Sequence, residues 1–199
     1  SMKKLVLIIS VALFALGSLF AALDFTAVDE TYDKDLDDNG VYETLKSMLS
    51  KASSNDEKAE VLWRLARICV DLGDSLDESD KSGRFKWYEE GEQYAKDSIA
   101  AKETAMGYLW KCSNIGRWGQ TKGILDSLAK AKPMYEDVKY MVNTLKCLDS
   151  SEAWYLLAVL YDSLPGKPIS YGDKDAAISY GRMACDTVKP NLMYLGTCH

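Results

Sequence analysis

Apolar residues recur along the chain at the three-and-four spacing of one helix face, in blocks separated by polar or glycine-rich breaks. Val41, Leu45, Met48 and Leu49 form the first block, and Ser53-Ser54-Asn55-Asp56 ends it, which predicts a short helix. Asn55 or Asp56 can cap the next helix, which carries Leu62, Leu65, Ala66 and Cys69 and stops at Gly73. Asp74–Arg84 is a polar insertion. After it, Gly91, Ala95 and Ser98 keep the four-then-three interval with small side chains, which lets two helices approach closely. Thr104–Gly116 carries Leu109, Trp110, Cys112 and Ile115, and Gly116-Arg117-Trp118-Gly119 predicts a tight corner. A helix over Thr121–Lys130, an interruption at Pro133 and a helix over Met134–Leu148 follow, the last with Val138, Met141, Val142 and Leu145 on one stripe. In Ser151–Pro190, Trp154, Leu157, Ala158 and Tyr161 precede a Leu164–Gly172 loop, and Ala177, Gly181 and Ala184 succeed it. Asn191–His199 begins a further helix.

The N-terminal part reads differently. Lys3 and Lys4 precede Leu5–Leu23, 19 residues without a charge. That is longer than the ~7–15 residues of an ordinary signal core and close to the ~20 that span a bilayer, so residues 1–23 are a signal peptide or an N-terminal membrane anchor. Either predicts an exported chain in the periplasm or cell envelope, touching the membrane only through this segment if it stays uncleaved. Asp24–Gly40 is acidic and poor in large apolar residues, which predicts a linker over 24–40 that forms no packed element, ahead of a helical domain over 41–199.

The grammar of the Ser151–Pro190 block, closed by Pro190, is that of a tetratricopeptide repeat. The predicted fold class is therefore all-α, a solenoid of helical hairpins in which antiparallel helix pairs stack into a right-handed superhelix. Such stacks present a groove. The insertion after Gly73, the Leu164–Gly172 loop and the extra helix after Pro133 mark it as divergent and short.

The stretch Ala59–Gly196 resembles the regulator-of-microtubule-dynamics family and its bacterial relatives. The resemblance is carried by Glu60-Val61-Leu62-Trp63-Arg64-Leu65-Ala66-Arg67, by Gly116-Arg117-Trp118-Gly119-Gln120-Thr121-Lys122-Gly123, and by Leu164-Pro165-Gly166-Lys167-Pro168 with Tyr171-Gly172-Asp173-Lys174. It implies a solenoid adaptor with no catalytic residues to carry over, and a signal-like N-terminus on an acidic chain gives no reason to transfer tubulin binding. The exported helical form also looks like the tetratricopeptide proteins that accompany TRAP-type solute transporters.

A formal net charge of −6 over 199 residues repels phosphate backbones, which argues against a nucleic-acid partner. The one histidine is the terminal His199, a poor place for acid–base chemistry, and no nucleophile–base pair or metal set is spelled out. No catalysis and no cofactor are expected. Asp35-x-Asp37-x-Asn39-Gly40 opens like a calcium loop, but its twelfth position is Lys46, with Glu43 as a substitute only in a shorter loop. Helix capping by this cluster is the competing reading. Five scattered cysteines read as small buried hydrophobes, with a Cys112–Cys147 bridge as the alternative.

Trp63 neighbours Leu62 rather than sharing its stripe, which turns it toward the groove with Arg64 and Arg67, a set suited to a carboxylate-bearing or peptide ligand. Tyr155 and Tyr171 are weaker candidates of the same kind. The expected function is an exported bacterial envelope scaffold that binds a protein or peptide in a concave groove. The alternative is a carrier of a small apolar or lipid-like ligand, for example beside a solute transporter. A groove with charged rims favours the first and an apolar tunnel the second.

Overall fold

The computed structural model describes residues 22–123, 125–146 and 151–187. Nearly all of the predicted N-terminal apolar segment and the predicted Asn191–His199 helix lie outside them. The helices are α1 (Thr26–Asp33), α2 (Asp38–Lys51), α3 (Asn55–Asp74), α4 (Lys81–Ala101), α5 (Ala105–Lys122), α6 (Leu128–Asn143), α7 (Ser151–Ser163) and α8 (Lys174–Thr187), with one 3-10 turn at Leu125–Ser127.

The helices α2 to α5 each start where a short polar side chain takes an otherwise unpaired amide. Asp37 accepts from the Gly40 N–H, Ser54 from Glu57, Asp80 from Gly83 and Thr104 from Gly107. The cap of α3 is thus Ser54 rather than Asn55 or Asp56, and Glu57 reaches back to the Ser53 N–H at 2.8 Å.

Packing follows the small-residue stripe. Ser98 donates to the Ala59 carbonyl at 2.9 Å across α4 and α3, with both residues fully buried. Gly91 lies under Asn114 of α5, so closely that a Cβ would sit 2.2 Å from the Asn114 Oδ1, and Asn114 Nδ2 in turn donates to the Ala66 carbonyl of α3 at 2.9 Å. Gly73 lies under the ring of the fully buried Tyr88. One apolar core joins Val28, Val41, Leu45, Leu65 and Ile68. A second joins Leu109, Cys112, Met134, Val138, Trp154, Leu157 and Ala184. The stack is an all-α, tetratricopeptide-like solenoid of helical hairpins.

Three expectations are corrected, and the cysteine reading holds in part. The supposed linker contains α1, whose Val28 is only 6% exposed in the first core. Local composition hides this because the partners of its polar residues lie 35 and 38 residues away on α3. Gly116–Gly119 makes no corner: α5 runs on to Lys122, Gly119 packs beside Ser127, and the stop is Gly123 at φ +110°. That backbone conformation favours glycine. Pro133 lies inside α6 as its sixth residue, where the missing N–H costs a single intrahelical bond near the helix start. Cys69 and Cys112 are free, buried thiols, as the reading of small buried hydrophobes has it, so the alternative Cys112–Cys147 bridge is absent, while Cys185 departs from that reading and is disulfide-bonded. Burial pushes the Cys69 and Cys112 thiols well above the ordinary range.

Candidate partner-binding groove

The helix preceding each hairpin turn carries a second, more polar stripe. On α3 it is Arg64, Arg67, Asp71 and Asp74, and on α5 it is Trp110, Ser113, Arg117 and Gln120, in both cases at intervals of three, four and three. One helix face at 3.6 residues per turn carries such a set. The C-terminal half of the α3 stripe, the α5 stripe, and Tyr155, Leu156 and Val159 of α7 line a groove of about 380 Å³.

The N-terminal half of the α3 stripe is covered. Asp29 of α1 takes Arg64 Nη2 at 2.7 Å and Nε at 2.9 Å, and Arg67 Nη2 at 2.8 Å. Phe25 stacks on the Arg64 guanidinium at 4.0 Å and Tyr32 on that of Arg67 at 3.6 Å. Burial raises the Asp29 pKa, but Arg64 and Arg67 outweigh it and hold the carboxyl below its usual range. Trp63, 8% exposed, donates to Glu60 at 3.0 Å. Arg64 and Arg67, which the sequence turns toward an open groove, face α1 in the fold, and Trp63 lies against both guanidiniums at 4.1 and 5.2 Å. The carboxylate that both guanidiniums meet is Asp29 of the same chain.

Tyr155, 42% exposed, does line the groove. Tyr171 stacks on Tyr135 with centroids 4.4 Å apart and rings 12° from parallel, in a cluster with Tyr161 and Tyr180 that lies away from the groove lining. In the calcium candidate, α2 begins at Asp38 inside the motif, Asp37 caps it, and Asn39 and Glu43 are helical, so the alternating oxygens do not wrap a common centre. Among the described residues no cluster of three or more Asp, Glu, His or Cys side chains is arranged to hold a metal.

Within the groove, Asp74 accepts from Arg117 Nη2 at 2.9 Å and from the Tyr88 hydroxyl at 2.6 Å, with Arg84 at 3.7 Å. Asp71 is poorer in partners. Burial pushes its pKa up to about 6; the Tyr32 hydroxyl hydrogen bond and Arg67 oppose the rise, while Asp38 and Asp74 add to it. The indole N–H of Trp110 is buried with no hydrogen-bond partner. An apolar cavity of about 60 Å³ lies next to the groove, bounded by Ile115, Ala131, Met134, Val159 and Leu160.

Asp71, Asp74, Trp110, Ser113, Arg117 and Gln120 were not singled out from the sequence. The signal was present as the repeated three-four-three interval on α3 and α5. Gly116 and Gly119 mask it in the sequence, because their spacing imitates a corner that would cut the α5 stripe in two.

Stacked helical hairpins with a mixed-charge groove along them define a tetratricopeptide-like solenoid. Residues 24–159 match the model of the regulator of microtubule dynamics protein 1-3 family, and the chain belongs to that family. No curated protein matches it. Among the described residues no helix is long and apolar enough to cross a membrane.

Proposed function

We propose that the protein is an exported, non-catalytic scaffold of the bacterial envelope that binds a protein or peptide partner in the groove between α3, α5 and α7. The observation that carries this reading is the groove itself. It is about 380 Å³, within the usual range for ligand sites, and carries charge of both signs beside Trp110 and Tyr155. The N-terminal Lys3-Lys4 and uncharged Leu5–Leu23 support export. The adjoining apolar cavity, about 60 Å³, is too small for a lipid chain, which favours the scaffold over the carrier.

The test is selection of peptides from a random library on the folded protein, followed by binding to a Tyr155→Ala, Gln120→Ala variant of unchanged helicity. Retained peptides whose binding drops in the variant support the reading. No selected peptide, or binding indifferent to the groove variant, overturns it. Cell fractionation of the full chain tests export separately, and recovery in the cytoplasm would remove that part.

A further inference from the structure

The groove presents its charges unevenly. Arg117 is spent on Asp74 and also donates to Gln120 at 3.1 Å, while Asp74 has Arg84 and Tyr88 besides. Arg64 and Arg67 are spent on Asp29. Asp71 is left as the groove carboxylate whose nearby cation is committed elsewhere. The groups that act on it from neighbouring elements are Tyr32 of α1 and Asp38 of α2, with Asp74 and Arg67 from its own helix. Two of the three charges among them are negative.

We infer that the groove takes an extended peptide carrying a basic side chain, lysine or arginine, whose cationic head pairs with Asp71 while Trp110 and Tyr155 flank it. This rests on the groove reading above and specifies its ligand. One general principle and three observations converge on it. A mostly desolvated carboxylate gains more from an incoming cation than a solvated one does, because burial strengthens the pair and the added hydrogen bond replaces lost water. The elevated pKa of Asp71 records that missing compensation. Aromatic rings in the same groove suit a cationic head and its aliphatic stem. The net charge of −6 attracts basic segments and repels acidic ones. The sign is the reverse of the one Arg64 and Arg67 suggest in the sequence, because Asp29 of α1 already pairs with both.

The experiment uses the peptides selected for groove binding and measures their affinity by fluorescence polarisation, with each lysine or arginine replaced in turn by glutamine. One such replacement should weaken binding by about tenfold or more, as loss of a charge-assisted hydrogen bond does. That loss should largely disappear in the Asp71→Asn protein, and the affinity of the basic peptide for the native chain should fall as pH drops through 6. Peptides that respond to the Tyr155→Ala, Gln120→Ala variant but contain no basic residue, or tolerate its replacement by glutamine, overturn the inference and leave the groove reading standing. An equal loss in Asp71→Asn and the native chain also overturns it. Failure to select any groove-binding peptide removes both. The peptide-side replacement needs no protein variant, so the inference remains testable if Asp71→Asn folds poorly.

Discussion

Asp29 and Arg64, 35 residues apart, meet in a forked ion pair with Nη2 to Oδ2 at 2.7 Å and Nε to Oδ1 at 2.9 Å. It fastens α1 to the polar stripe of α3 and decides how much of that stripe remains open. Removing Asp29 takes the shared carboxylate from two largely buried guanidiniums and leaves Arg64 only Glu60, at 2.7 Å, which is the expensive way to break such a pair. Asp29→Ala should cost about 1–3 kcal/mol in urea denaturation, allowing for the partial exposure of Asp29. The same variant should expose α1 to limited proteolysis ahead of the remaining helices. A stability within a few tenths of a kcal/mol of the native chain would show that α1 is held by its apolar contacts alone.

Gly91 has no room for a side chain, since a Cβ would stand 2.2 Å from the Asn114 Oδ1. Gly91→Ala gains helix propensity but displaces Asn114 from its 2.9 Å bond to the Ala66 carbonyl. Overpacking of this kind typically costs about 1–3 kcal/mol, so the thermal transition should fall by several degrees. A raised transition would mean that Asn114 moves aside freely and that the three-helix contact is slack.

Asp71 should leave a signature in stability against pH. Its carboxyl holds its proton to about pH 6 in the folded chain, against 3.8 for an unperturbed aspartate. Between these values the folded state binds the extra proton, so this group's contribution to stability falls as pH rises from about 4 to 6 and stays low above it. Asp71→Asn should be the more stable protein at pH 7, by about 2–3 kcal/mol at most, and the advantage should vanish near pH 4. Denaturation of both proteins across that range checks it, with other titrating groups cancelling in the difference. A constant offset would place the effect in packing instead of ionisation.

Tyr171 separates structural aromatics from groove aromatics. Its parallel stacking on Tyr135 contributes about 0.5–1.5 kcal/mol beyond burial. Tyr171→Ala should lower stability by at least about 0.5–1.5 kcal/mol while leaving the affinity of groove-selected peptides unchanged, whereas Tyr155→Ala should weaken peptide binding and leave stability nearly unchanged. Polarisation binding and thermal denaturation of the same two variants test both halves together.

The helical grammar lies in the sequence because it is local. Apolar residues at three-and-four spacing bury one face whatever surrounds them, and Gly91, Ala95 and Ser98 announce a close helix contact by their size alone. The composition of Asp24–Gly40 and the spacing of Arg64 and Arg67 were equally visible. Their meaning was not, because an acidic segment becomes a packed helix only when its carboxylate finds arginines 35 and 38 residues away. Tertiary structure therefore decided which half of the α3 stripe is closed and which carboxylate faces the groove. An ion pair's worth depends on which charges share a desolvated space, and that is set by the folded arrangement rather than by neighbours along the chain.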